Sequence, residues 1–395
     1  MTNSKGPMNP SPAGADVMPS GPALQAKLLA RLAGFPDAIR LSRGDPDFAT
    51  PRHIIHAVRD VLWRQISDQI APPEGREDLR RAIAARLQRV NRLEVDPVAE
   101  VVVTQGGQEA AFLMILAAVG SGDEVIVPEP NYYSYGDAIR FAGARAVPVP
   151  TSVDAGFAVD PDRVRRAVTD RTRALLLVSP NNPSAAVMSP EVVRDLVQLA
   201  ADRDLLILAD DTYDQFLYDE AVHTSPGALD GAGGRTLTIN TCSKTYAMTG
   251  WRLGWVAGPA PLVARVRALK EATTGGTSTL AQAAALTALT GPQEVVAEML
   301  AAYARRRTLT LAALAAMRLP YGMPMGGQFV FVDIRPLGLS SLAFAEQVLE
   351  RAHVLVGPGI VFGADWDGFV RLAWLLPDDQ LVEGLARMAG AVRGL

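Results

Sequence analysis

The chain is poor in cysteine and histidine, with one Cys, Cys242, and four His in 395 residues. One cysteine excludes an intramolecular disulfide and any cysteine-built zinc cluster, and as a small apolar side chain it reads as a buried thiol rather than a reactive one. His53 and His56 stand at i and i+3 of an expected helix, but only His223 and His353 accompany them, so they read as surface or packing residues and no metal is expected. Neither sign of charge is in marked excess: 38 Lys and Arg against 42 Asp and Glu give a net charge of −4, which offers nucleic acid no basic face. A charged-then-apolar leader and an apolar run of transmembrane length are both missing, so a cytoplasmic location is expected. There is no internal repeat, and no Walker loop, GxGxxG, HExxH or GxSxG, which weakens kinase, nicotinamide, zinc-protease and esterase readings.

What is present is the composition of a globular protein, 49% hydrophobic and 20% charged, and the length suggests two or three domains. Residues 1–20, rich in Pro, Ser, Gly and Asn without apolar periodicity, read as a flexible arm. Helical period is expected over 23–32 and 53–66. From residue 75 strands and helices alternate, with helices over 77–90, 108–119, 133–141, 161–168 and 191–203 and strands over 100–104, 124–127, 145–149, 174–178, 205–209, 236–240 and up to 257. Near-continuous apolar strands separated by helices indicate an α/β fold with a mixed, mostly parallel sheet sandwiched by helices, whose ligands bind at the carboxyl ends of the strands. Beyond residue 261, alanine-rich helices over 261–272, 279–290 and 293–318 precede short strands at 328–333, 353–356 and 369–374, with helices at 341–351 and 378–393. The expected division is a large domain over 50–285 and a smaller α+β domain built from 21–49 and 286–395.

Several stretches carry chemistry. In 235–258 an apolar, β-leaning run ends in Ser243-Lys244, with Gly250 and Arg252 soon after. Lys244 is either a loop lysine at a strand end or a nucleophilic amine, its proton loosened by burial and by the Arg252 cation, that forms a Schiff base with a carbonyl. Gly106-Gly107-Gln108 joins a strand to a helix start, where backbone N–H groups can approach an anion, although such a pair of glycines is often only a turn. Ser179-Pro180-Asn181-Asn182-Pro183 is a turn by itself. Asp210-Asp211 at a strand end suit helix caps or a metal pair. Tyr132, Tyr133 and Tyr135 suit a core. Arg371, inside the apolar run 369–373, is costly to bury unpaired and calls for an anionic partner.

The segment S-K-x-x-x-M-x-G-W-R-x-G, read from Ser243 to Gly254, resembles the lysine segment of the fold-type-I, class I/II pyridoxal-phosphate aminotransferases (the aspartate aminotransferase superfamily), and six separated motifs follow that family's order between about 41 and 375. The resemblance implies pyridoxal 5'-phosphate as cofactor, held by Lys244 as an aldimine. It implies that Ser243 and Arg252, with Gly106, Gly107 and Gln108, hold the phosphate. It gives Asp210 the pyridine nitrogen, Asn182 and Tyr213 the ring hydroxyl oxygen, and Tyr132 the ring face. Arg371, with Asn182, would grip the substrate α-carboxylate, while Asp211 is left as a structural residue. The activity implied is amino transfer from an L-amino acid to a 2-oxo acid by way of pyridoxamine phosphate, in a homodimer with active sites at the interface.

The chain departs from the family pattern in places that bear on substrate. Ser184-Ala185 stands for the usual Thr-Gly, and Ile70 stands where a tyrosine commonly reaches the neighbouring subunit's phosphate. Gln328 takes a position where an aromatic is frequent. Arg43, in LSRGDPDF, takes one that is usually small, and is either a solvated loop arginine or a partner for a substrate side-chain carboxylate. Gln108, where some acidic-substrate members carry lysine, argues against aspartate specificity. Thr277 and Ser278 are candidates for phosphate contacts across a dimer. Two rivals use the same residues: a lyase, decarboxylase or cyclase, and a catalytically silent ligand-binding module.

Overall fold

The computed structural model describes residues 21–64 and 70–394. The arm expected over 1–20, and the end of the helix expected over 53–66, lie outside the described residues.

Twelve strands are described: β1 (Ile39–Arg40), β2 (Val101–Thr104), β3 (Glu124–Glu129), β4 (Arg145–Pro150), β5 (Thr172–Val178), β6 (Leu206–Asp210), β7 (Thr236–Thr241), β8 (Gly254–Ala257), β9 (Phe329–Asp333), β10 (Val354–Leu355), β11 (Gly357–Pro358) and β12 (Phe369–Ala373). Seven form one sheet in the order β2-β8-β7-β6-β5-β3-β4. Only β8 runs against its neighbours; the other pairings are parallel. The carboxyl ends of β2, β3, β5, β6 and β7 therefore open on one side of the sheet.

Sequence explains this sheet directly. In β6, LILAD, every residue is buried, and the pleat sends alternate side chains to opposite faces. Leu206 and Leu208 enter a core formed with helices Gly106–Ala118, Ser134–Phe141 and Ala260–Thr273. Ile207 and Ala209 enter another on the opposite face, formed with Pro161–Ala167 and Pro190–Asp202. A strand covered on both faces has no polar side to display, which is why alternation is missing from its sequence.

A second body of apolar contacts gathers around the antiparallel sheet β11-β12-β9 and helices Glu294–Met317, Ser341–Ala352 and Asp378–Val392. Leu28 and Leu41 from the amino-terminal segment are buried in it, and β1 pairs in parallel with β10. None of the described helices is long and apolar enough to cross a membrane.

Three local expectations change. The helix expected over 77–90 is α-helical only over Glu77–Arg86 and continues as a π-helical turn, Leu87–Asn91. The wider turn brings i and i+5 together: Arg86 Nη1 donates to Asn91 Oδ1 at 2.6 Å, both side chains buried. The strand expected from 353 starts at Val354, because His353 takes a left-handed conformation (φ 52°) that ends the preceding helix. Finally, β1 and β11 have two residues each, too few for a period to show.

Candidate active site

The carboxyl ends of the parallel strands, β12 and the segment 40–45 enclose a cavity of about 800 Å³. Gly107, Gln108, Tyr132, Asn182, Asp210, Tyr213, Ser243, Lys244, Arg252, Arg371 and Arg43 all line it. They come from sequence positions more than 300 residues apart, and the sheet is what joins them: Asp210 ends β6, Lys244 lies one turn beyond β7, Asn182 follows β5 and Tyr132 follows β3.

Lys244 sits in a single helical turn, Cys242–Thr245, fixed by the Thr241 side chain, whose Oγ1 accepts from Ser243 N–H at 3.1 Å. Its Nζ donates to the Gly44 carbonyl at 2.7 Å. Burial pulls the amine down to about 8; the Asp45 carboxylate opposes this, while Arg371 and Arg252 reinforce it. Arg252 thus acts as expected, though after burial and Arg371. Next to Lys244, Cys242 is fully buried and its thiol is pushed up to about 12 by burial.

Gly106 does not line the cavity; it backs onto Arg252. It adopts φ +82°, a conformation that favours glycine, and a Cβ placed there would come within 2.6 Å of Arg252 Nη2 and push the guanidinium from the helix start. Arg252 itself donates from Nη1 to the Thr249 carbonyl at 2.8 Å. Gln108 Nε2 donates to Ser134 Oγ at 3.1 Å. The first N–H groups of helix Gly106–Ala118 have no intrahelical acceptor, so this corner combines free donors with a cation and suits an anion.

Asp210 is buried; its Oδ1 accepts the Thr212 N–H at 2.8 Å and its Oδ2 accepts from the Tyr135 hydroxyl. Burial raises its carboxyl above the ordinary range, against these two hydrogen bonds. Tyr213 stands edge-on to Phe329, centroids 5.3 Å apart, and burial holds its phenol well above the ordinary value.

Arg371 is buried, and among the described residues no carboxylate pairs with it. Nη1 donates to Asn182 Oδ1 at 2.9 Å, Nη2 donates to the Ser42 carbonyl at 3.2 Å, and Nε has no partner. Its guanidinium lies 5.4 Å from the ring centres of both Phe329 and Phe362. A buried cation with spare donors at a cavity wall suits a planar anion such as a carboxylate.

Arg43 is half-buried on the cavity wall, and no carboxylate pairs with it among the described residues; Arg40 also lines the cavity. The remaining expectations lead elsewhere. Ile70 is 92% exposed, and Gln328 is fully buried away from the cavity, which its neighbour Phe329 lines. Thr277 and Ser278 lie outside this cavity: Thr277 donates to the Val103 carbonyl at 3.4 Å and Ser278 caps helix Thr279–Thr290. Asp211 accepts from Asn91 Nδ2 at 3.0 Å and from Ser225 Oγ at 2.6 Å, on the side away from the cavity. Among the described residues no group of three or more His, Cys, Asp or Glu is arranged for a metal ion.

Asp45, Arg40 and Tyr135 are among the cavity residues with no role expected from sequence. Asp45 lies in a loop where no periodicity signals its role. Tyr135 stands three residues after Tyr132, and their rings meet edge-on, centroids 6.1 Å apart.

The family described as Aminotransferase class I and II matches residues 36–388. The aspartate/prephenate aminotransferase of Thermus thermophilus is 40% identical over 370 residues, 93% of this chain and 94% of that protein. An arginine–pyruvate transaminase of Pseudomonas aeruginosa is 41% identical over 364 residues, covering 92% of each. The solved structure of the Thermus thermophilus aspartate aminotransferase with maleate superposes with a TM-score of 0.89 at 40% identity, over 94% of this chain and 96% of that one. Class I and II aminotransferases are thus the family to which the chain belongs, and its activity is the transfer of an amino group.

Proposed function

We propose that the chain moves the amino group of an L-amino acid to a 2-oxo acid using pyridoxal 5'-phosphate held by Lys244. The observation that carries this reading is an amine lowered to about 8 on the wall of a cavity that also holds a buried carboxylate, Asp210, and a buried cation, Arg371, without a carboxylate partner among the described residues. Lowering a lysine from 10.5 to 8 raises its free-base fraction near neutrality about 300-fold, which is what a nucleophile and proton carrier needs.

The cavity fits that cofactor. Gly106, Gly107, Gln108, Ser243 and Arg252 would hold its phosphate, in the corner where a Cβ on Gly106 would strike Arg252. Asp210 would face its ring nitrogen, Asn182 and Tyr213 its ring oxygen, and Tyr132 its ring face. When bound, the group supplies a carbonyl that captures the amino nitrogen and a conjugated ring that accepts electrons from the α-carbon. Arg371, assisted by Asn182, holds the α-carboxylate and so orients the α C–H bond. Lys244 Nζ would hold the cofactor and, as a free amine, would carry a proton to and from the substrate Cα. Asp210 would pair with a protonated ring nitrogen and favour its positive charge.

Arg43 and Arg40 both line the cavity, which favours substrates with a second anionic group, and maleate, named with the Thermus neighbour, is a dicarboxylate. We further propose that residues 50–285 form the large domain and 21–49 with 286–395 the small one, and that the working unit is a homodimer. The test follows ¹⁵N from labelled acidic, aromatic, basic and aliphatic amino acids into a 2-oxo acid acceptor. Transfer with an acidic preference that Arg43→Ala removes is expected. Release of ammonia or carbon dioxide in place of transfer would contradict it.

A further inference from the structure

Tyr135 is a buried phenol that the family motifs leave without a task, yet it touches Asp210, a buried carboxylate on the cavity wall. Its position has a simple local origin. Helix Ser134–Phe141 begins directly after Tyr133, and the Tyr135 N–H donates to the Tyr132 carbonyl at 3.2 Å, which fixes the two side chains relative to each other. The rings of Tyr132 and Tyr135 meet edge-on, centroids 6.1 Å apart at 80°. Both line the cavity, Tyr132 through its ring and Tyr135 beside Asp210.

The two oxygens of Asp210 have separate donors. Oδ1 takes the Thr212 N–H, a bond within its own turn that any residue at position 212 other than proline would supply. Oδ2 takes the Tyr135 hydroxyl, a bond that spans 75 residues and exists only with a hydroxyl at this position. A carboxylate at the end of β6 has χ1 and χ2 free to turn, and a second, rigid donor removes that freedom. Such a donor also opposes the tendency of burial to neutralise the acid. Burial and the neighbouring Asp210 charge both keep the Tyr135 phenol protonated, so it serves as a donor throughout the working pH range.

We propose that Tyr135 is a positioning residue for Asp210: its hydroxyl fixes the carboxylate and holds its charge so that a protonated ring nitrogen of the bound cofactor has its counter-ion in place. This inference rests on the cofactor reading above.

The test compares two probes on wild type and Tyr135→Phe: pyridoxal 5'-phosphate, and its 1-deaza analogue, in which the ring nitrogen is replaced by C–H. Phenylalanine keeps the ring and its packing, so melting temperature should hold. Binding of pyridoxal phosphate to the cofactor-free protein should weaken by roughly tenfold, the size expected for one hydrogen bond to a charged group. Binding of the 1-deaza analogue should be unchanged, because it has no nitrogen for Asp210 to pair. With ¹⁵N in the cofactor ring, the nitrogen resonance should move toward the unprotonated position in Tyr135→Phe. Equal weakening with both probes would mean that Tyr135 only shapes the pocket, and equal binding by wild type and variant would mean that it does nothing for Asp210; either overturns the proposal. Should Tyr135→Phe prove unstable, the same comparison in an Asp210→Asn background decides, since the Tyr135 effect must vanish there. Failure of wild type to bind pyridoxal phosphate would overturn the cofactor reading, and this inference with it.

Discussion

Replacement of Arg371 by leucine separates its two contributions. The guanidinium is buried, has no carboxylate partner among the described residues, and keeps Nε unbonded. A cation in that state costs stability rather than adding to it, and exchange of buried charge for an apolar side chain of similar volume is often neutral or stabilising. Against this, Asn182 Oδ1 and the Ser42 carbonyl each lose a donor, at about 1–3 kcal/mol per buried acceptor left unpaired. The two effects oppose each other, so Arg371→Leu should change unfolding free energy by no more than about 2 kcal/mol. Activity should behave differently. A carboxylate gripped by two charge-assisted bonds at about 1.5–3 kcal/mol each loses about 3–6 kcal/mol, so kcat/KM should fall on the order of 10² to 10⁴. Denaturant unfolding and steady-state kinetics measure the two quantities on one preparation. A primary amine without an α-carboxylate supplies the control, since its slow turnover should not fall further. Substantial unfolding without a selective kinetic loss would assign Arg371 to the scaffold and refute the reasoning.

Three other perturbations follow from the same geometry. Gly106→Ala puts a Cβ 2.6 Å from Arg252 Nη2 at φ +82°, so it should lower the melting temperature through about 1–2 kcal/mol of backbone strain and weaken cofactor retention on gel filtration. Asp214→Asn leaves the wholly buried Arg86 without its 2.7 Å partner and should cost about 3–5 kcal/mol in urea unfolding, with a loss below 1 kcal/mol contradicting the pairing. His223 is buried with Nε2 3.4 Å from Asp211 Oδ2; burial favours its neutral form, but the Asp211 and Asp214 carboxylates outweigh that and raise its pKa above 6.5. A raised folded-state value means that its stabilisation is full below about 6.5 and is lost as pH rises through the folded value. His223→Gln should therefore flatten the stability profile on the alkaline side of 6.5, and an unchanged slope there would remove His223 from the account.

Where the sequence was legible, one stretch of chain determined the outcome. The burial of β6 on both faces is written in LILAD, and Lys244 announces itself by standing just after the β-leaning run that forms β7. Arg371 was legible for the same reason, since a guanidinium inside FVRLA cannot be solvated in place. What escaped depends on pairs that the sequence does not mark. The bond between Tyr135 and Asp210 spans 75 residues and the β1–β10 pairing joins two-residue strands. Neither leaves a period. The π-turn at Leu87–Asn91 breaks an otherwise regular helix because Arg86 and Asn91 both serve the buried group Asp211 and Asp214, a demand imposed by β6 and the turn after it. Arg43 was open from sequence between solvent and cavity, and the fold of the 40–45 segment over Lys244 puts it on the cavity wall.

A single amine, Lys244, is proposed to carry the cofactor. Protein loaded with pyridoxal 5'-phosphate, reduced with borohydride and digested, should yield one pyridoxyl-modified peptide with the modification on Lys244, and Lys244→Ala should yield none while remaining folded. Modification of another lysine, or of none in wild type, would contradict the account.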